Sequence, residues 1–199
     1  MTKAKPAGKA QPESGNEAAA PFEDLSRVLI AGVGPVVSSA HLANSSIPQL
    51  SELEFALTMS NHAFHRWMVR CMSAAGGPDL AALDILVLHL VHHRMRPKSL
   101  ADISLVLNIE DSHLVTYSVK KLVGHGLVTG GRKGKEKTIT TTSQGEELCR
   151  RYAEVREALL VRAVQQLGLD PAEVSRLAGL LRAISGSYDQ AARAAAAAA

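Results

Sequence analysis

Between Asp111 and Thr142 the chain carries Lys120, Lys121, Arg132, Lys133, Lys135 and Lys137 against only Asp111 and Glu136, a local charge of +4 that exceeds the whole-chain net of +3. The chemistry open to such a set is electrostatic capture of a polyanion, because each cation that neutralises a phosphate releases a condensed counterion. Just upstream, Ser112, His113, Thr116 and Tyr117 fall with Lys120 on one face of a helix. Hydroxyl, ring-nitrogen and aromatic groups there are candidates for base edges, while Lys120, Lys121 and the later cations are candidates for phosphates. A lysine run alone is usually a solvated loop. Its position directly after a capped helix is what gives this one meaning.

Other groups are capable of chemistry. His89, His92 and His93 stand at i, i+3, i+4, and His62 and His65 form a second pair. The spacing suits zinc, but no neighbouring Cys or acidic cluster completes a site, so no metal is expected and surface or interface histidines are the plainer reading. Cys71 follows Arg70 and Cys149 precedes Arg150. Neither lies at a helix N-terminus that would stabilise a thiolate, so buried, inert thiols are expected over an oxidant sensor. Phe64, His65, Trp67 and Met68 on one helix, with His89 and His93 on the next, combine aromatic, soft and ring-nitrogen groups. They form a candidate effector pocket for a small aromatic acid, with core packing as the competing reading. No nucleophile arrangement and no glycine-rich phosphate loop occur, so no catalytic residue, no enzyme activity and no cofactor is expected.

These residues need elements to position them. Ser51 with Glu54 reads as a capping box opening a helix whose stripe is Leu53, Leu57, Phe64, Trp67, Met68 and Cys71, closed by Gly76-Gly77-Pro78. Asp79 is expected to cap a second helix to about His93, with Leu83, Leu86, Val87 and Leu90 inward. Ser99 and Asp102 box a third, Leu100 to Leu107. Asn108-Ile109-Glu110 is a turn, and Asp111 or Ser112 caps a fourth helix to about Gly124, with Leu114, Val115, Val119 and Leu122 buried. A Gly/Lys hairpin follows over residues 127–140. Thr142 or Ser143 opens a long helix to about Leu167; Gly168 breaks it; Asp170-Pro171 opens a last helix to about Tyr188. Helix-turn-helix followed by a basic two-stranded loop is the layout of a winged helix.

The same residues carry a family resemblance. Leu100-Ala101-Asp102-Ile103, the run Lys121-Leu122-Val123-Gly124-His125-Gly126-Leu127-Val128 and Thr142-Ser143-Gln144-Gly145 resemble the "Leu-Ala-x-x-Leu", "Arg-Leu-x-x-x-Gly-Leu-Val" and "Thr-x-x-Gly" motifs of the MarR family of winged-helix transcription regulators, over about residues 50–188. The resemblance implies a two-fold homodimer, double-stranded DNA as partner, and a small-molecule site between the dimerisation helices and the DNA-binding lobe. Two departures stand out: the wing lacks the family's Asp-Arg pair, and Tyr117 stands where many members place Arg in the recognition helix.

The expected fold is mostly α with a small β-wing, a winged helix-turn-helix with N- and C-terminal dimerisation helices. Its parts are a disordered tail (1–22), a partly helical arm (23–50), dimerisation helices (51–78 and 143–190), a DNA-binding lobe (79–142) and an Ala-rich tail (191–199). The arm, with Leu25, Val28, Leu29, Ile30, Val36 and Val37, is expected to pack across a subunit interface. The residues Met1 to Ala20 hold no hydrophobic stretch of the secretory type, and no apolar run reaches membrane-spanning length, so a cytoplasmic protein without a membrane partner is expected. Function is read as a dimeric regulator, expected to repress, binding a palindromic operator and released by a small molecule. The alternatives are a winged-helix protein-interaction module without DNA, or a metal- or redox-responsive regulator.

Overall fold

The computed structural model describes Met1 and residues 36–198. The arm's Leu25, Val28, Leu29 and Ile30, and the tail before them, lie outside the described residues; Val36 is exposed and Val37 half-buried. The elements in chain order are α1 (Ala40–Ala43), α2 (Pro48–Ala74), α3 (Ala82–His92), α4 (Leu100–Leu107), α5 (Ser112–Gly124), β1 (Val128–Lys133), β2 (Glu136–Thr141), α6 (Ser143–Arg156), α7 (Arg162–Gln165) and α8 (Pro171–Ala198). A π-helical stretch, Glu157–Val161, joins α6 to α7.

Four helix starts are set by local capping as the sequence suggests. The Ser99 hydroxyl accepts from the Asp102 N–H at 3.1 Å while the Asp102 carboxylate accepts from the Ser99 N–H at 3.0 Å. Asp111 accepts from the His113 N–H at 2.8 Å, Thr142 from the Gly145 N–H at 3.1 Å, and Asp170 from the Ala172 N–H at 2.7 Å. Each satisfies a backbone donor that a helix start leaves orphaned.

Two other expected starts are corrected. α2 begins at Pro48 with Ile47 before it, so Ser51 lies inside the helix, and its hydroxyl is buried without a partner. Proline's fixed φ and missing N–H suit the first turn, and they move the start ahead of the Ser51 box. α3 begins at Ala82, past Asp79. Asp84 provides its first-turn acceptor, taking the Ala81 N–H at 2.9 Å. The last helix also runs on through the alanines to Ala198, in keeping with the high helix propensity of alanine.

α3 is the centre. It packs against α2, α5, α6 and β2, and buries Ile85, Val87, Leu88 and Val91. Leu83, Leu86 and Leu90 are only half-buried. Val87 is buried as expected, and Leu83, Leu86 and Leu90 pack against the core from its edge; a helix enclosed from several sides has no single inward stripe, so Ile85, Leu88 and Val91 are buried as well. Around it lie Met68, Cys71 and Met72 of α2, Ile103 of α4, Val115, Val119 and Leu122 of α5, and Leu148 and Tyr152 of α6.

The sheet is an antiparallel hairpin in register Val128 with Thr141 through Lys133 with Glu136. Gly134, at φ +64, turns the chain in the two-residue connection. Lys98 adds a bridge on the other side of β2, donating its N–H to the Ile139 carbonyl at 3.0 Å and accepting the Ile139 N–H at 2.8 Å. The hairpin is pinned to α6 by the Thr-x-x-Gly turn. Thr142 Oγ1 donates to the Gly126 carbonyl at 2.6 Å, and Gly145 is the reason α6 can approach. A Cβ on Gly145 would collide with the Leu127 carbonyl oxygen and sit 2.7 Å from Thr141 Cγ2. Because the obstacle is backbone rather than a movable side chain, Gly145→Ala is expected to destabilise the fold by about 3 kcal/mol, measured as a fall in the urea midpoint.

Candidate nucleic-acid interface

The site rests on α5 and the wing. Val115, Ser118, Val119 and Leu122 of α5 face the core, which turns His113, Tyr117 and Lys120 outward. Ser112 and His113 are exposed at the N-terminal end and Tyr117 is 70% exposed. Thr116 is half-buried and donates its hydroxyl hydrogen to the Ser112 carbonyl at 2.9 Å. The four base-edge candidates thus stay together on the first two turns. Leu114, expected in the core, is 50% exposed beside them.

Lys121 departs from its expected role. Its ammonium lies 3.0 Å from the carboxylate of Asp84, a residue only 2% exposed, and this hydrogen bond raises the lysine above its ordinary range. The charge is committed inside the protein, where it balances a carboxylate taken out of water. Lys120, Arg132, Lys133, Lys135 and Lys137 are exposed and have no ion-pair partner among the described residues. On the hairpin Arg132 stands directly opposite Lys137, whereas Lys133 faces Glu136. Like charges across a ladder are destabilising, and an anion between them removes the penalty.

The candidate effector residues do not converge within the chain. Met68 is core at 1% exposure, Trp67 packs on the core edge, Phe64 is exposed, and His93 is exposed in the 3-10 turn after α3. His89 packs edge-on against Tyr152, ring centroids 4.5 Å apart. His65 lines a groove of about 320 Å³ with Arg66, Val69, Arg70 and Ala82. The two arginines were invisible as a site because nothing in the sequence brings Ala82 against them.

The histidine triple is also dispersed: His89 is on Tyr152, His92 is half-buried and His93 points to solvent. Among the described residues no three His, Cys, Asp or Glu side chains group together. Both thiols are buried and unpaired. Burial raises Cys71 and lifts Cys149 to about 11, which disfavours the thiolate an oxidant sensor needs.

The geometry defines a class before it defines a family. A family model for the winged helix DNA-binding domain matches residues 80–145, the segment from just before α3 to the start of α6. Over about seven-tenths of the chain the fold is similar to that of solved MarR-family transcription regulators. A MarR-family regulator from Rhodococcus sp. RHA1 superposes with TM-score 0.56 at 17% identity, covering 71% of this chain and 95% of that one. A mutant of MarR from E. coli complexed with operator DNA gives TM-score 0.57 at 19% identity, over 71% of this chain and 99% of that one. CouR from Rhodococcus jostii RHA1 bound to p-coumaroyl-CoA gives 0.57 at 18% identity, over 73% and 95%. No curated protein matches the chain.

Two measurements check the assignment of roles. Lys121→Ala strands a buried carboxylate and is expected to cost about 3 kcal/mol of stability, whereas Lys120→Ala should change it by no more than about 0.5 kcal/mol. Chemical denaturation of both variants separates the structural lysine from the free one. Burial, and secondarily the charge of His92, lower His89 to about 4 from 6.5. The unfolded chain therefore takes up a proton that the folded chain refuses. The stabilisation is complete above pH 6.5 and is lost as pH falls towards 4, by about 3 kcal/mol in all. His89→Gln should remove that part of the pH dependence from a series of unfolding curves.

Proposed function

We propose that the protein is a sequence-specific transcription regulator of the MarR type that binds operator DNA as a two-fold homodimer. The observation that carries the DNA reading is the set of five exposed, unpaired cations on α5 and the wing, with Arg132 and Lys137 held face to face. The α5 N-terminus would enter the major groove while the wing grips adjacent phosphates. The relative solved with operator DNA shares this fold and supports the same use here.

Dimerisation is supported by apolar surface left uncovered by the single chain. α8 has no buried residue, and exposes Val174, Leu177 and Leu180; Leu159 and Leu167 flank α7, and Leu50, Met59 and Phe64 line α2. A self-complementary interface would cover these faces and set two recognition helices about 34 Å apart, one DNA turn, which calls for a palindromic operator. No helix among the described residues is long and apolar enough to cross a membrane. Repression is the expected output, relieved by a small aromatic acid. Its carboxylate would meet Arg66 and Arg70, and its ring would lie against Val69 and His65. A relative of the same fold was solved with an aromatic acyl thioester, which supports an aromatic ligand.

Fluorescence anisotropy on duplex DNA should show affinity falling steeply with salt, with a log–log slope of several units. Binding that is absent or flat with salt would return the wing to a protein-interaction role. Sedimentation should give a dimer at micromolar concentration; a monomer there removes the palindrome. An aromatic acid should raise the melting temperature and release DNA, and Arg70→Ala should abolish both effects.

A further inference from the structure

The recognition helix carries few of the side chains that usually read purines, Lys120 on its third turn being the one left exposed. Over Ser112–Gly124 it contains no Arg, Asn or Gln, which make the paired hydrogen bonds to guanine and adenine. Lys121 is withdrawn to Asp84. What the helix exposes instead is apolar and aromatic: Leu114 at 50% and Tyr117 at 70%, three residues apart on adjacent turns. Thr116, on the far side of Tyr117 from Leu114, is half-buried and its hydroxyl hydrogen is spent on the Ser112 carbonyl. Lys120, three residues on from Tyr117, is exposed on the same helix, and the four wing cations are exposed as well. An apolar pair on a helix that also carries a free cation fits the one apolar group of the major groove, the C5 methyl of thymine, lying between two rows of phosphates.

We propose that Leu114 and Tyr117 read thymine methyl groups, so that the operator half-site is specified by A·T pairs rather than by guanine. The inference rests on the DNA reading above. Ser112 and His113 add polar contacts at the helix start, and Lys120 and the wing hold the backbone without choosing sequence.

The full-length protein should first enrich duplexes from a random pool. Thymines of the enriched half-site are then replaced one at a time by deoxyuridine, which lacks only the methyl. At one or two positions the wild-type protein should bind about fourfold more weakly, the worth of one buried methyl group. Tyr117→Phe should keep this sensitivity. Leu114→Ala and Tyr117→Ala should each lose it at one position while still binding DNA with the same salt slope. An enriched half-site whose affinity is indifferent to every deoxyuridine replacement, or whose central contacts are G·C pairs, overturns the proposal and leaves the DNA reading standing. No enrichment of any sequence overturns both. The deoxyuridine series on the wild-type protein decides even where a variant fails to fold.

Discussion

One buried carboxylate orients the site. Asp84 lies at the first turn of α3 and does two jobs there: it accepts the Ala81 N–H that the helix start leaves free, and it pairs with Lys121 from the third turn of α5. A carboxylate this deeply buried carries a large desolvation cost, which only close, directed partners offset. The pair therefore works as a register pin. If α5 rotated or slid along α3, it would lose the bridge and strand a charge. At the other end the hairpin is held by Thr142 and by the close approach that Gly145 allows. Recognition helix and wing are thus posed against the same central helix, the rigidity that reading a groove requires.

The outer surface is built on the opposite logic. The wing leaves Arg132 facing Lys137, with no ion-pair partner for either among the described residues, so it gives up some stability that a phosphate would restore. α8 and the α6–α7 segment leave leucines and valines in water that a second subunit would cover. In the proposed reading electrostatics and apolar area would divide the work: charge would attract any DNA, and packing would set the distance between two reading heads. The sequence-dependent part would fall to a few side chains on α5 whose chemistry is apolar and aromatic rather than guanidinium.

A link between these regions runs along α8. The Asn108 side-chain amide, in the left-handed turn between α4 and α5, donates to both carboxylate oxygens of Asp189 at 3.2 Å, and Tyr188 donates to Glu54 of α2 at 3.3 Å. The turn of the DNA-binding lobe and the long N-terminal helix therefore hold the same stretch of the last helix. These exposed contacts are weak individually, which leaves the lobe free to shift against α8 at small cost.

Much of this was written in the chain itself. The caps at Ser99, Asp111, Thr142 and Asp170, the break at Gly168 and the Gly/Lys hairpin follow from hydrogen bonds and backbone preferences that act within four residues, so their spacing alone determines them. The outward set on α5 follows from helical period. Tertiary structure decided what depends on partners distant in the chain. It gave Asp84 rather than Asp79 the start of α3, took Lys121 out of the DNA-facing set, exposed Leu114, and put Met68 in the core while Arg66 and Arg70 opened on a groove. A side chain's charge and shape are local properties. Whether that charge meets a phosphate or a buried carboxylate depends on which helix the fold packs beside it.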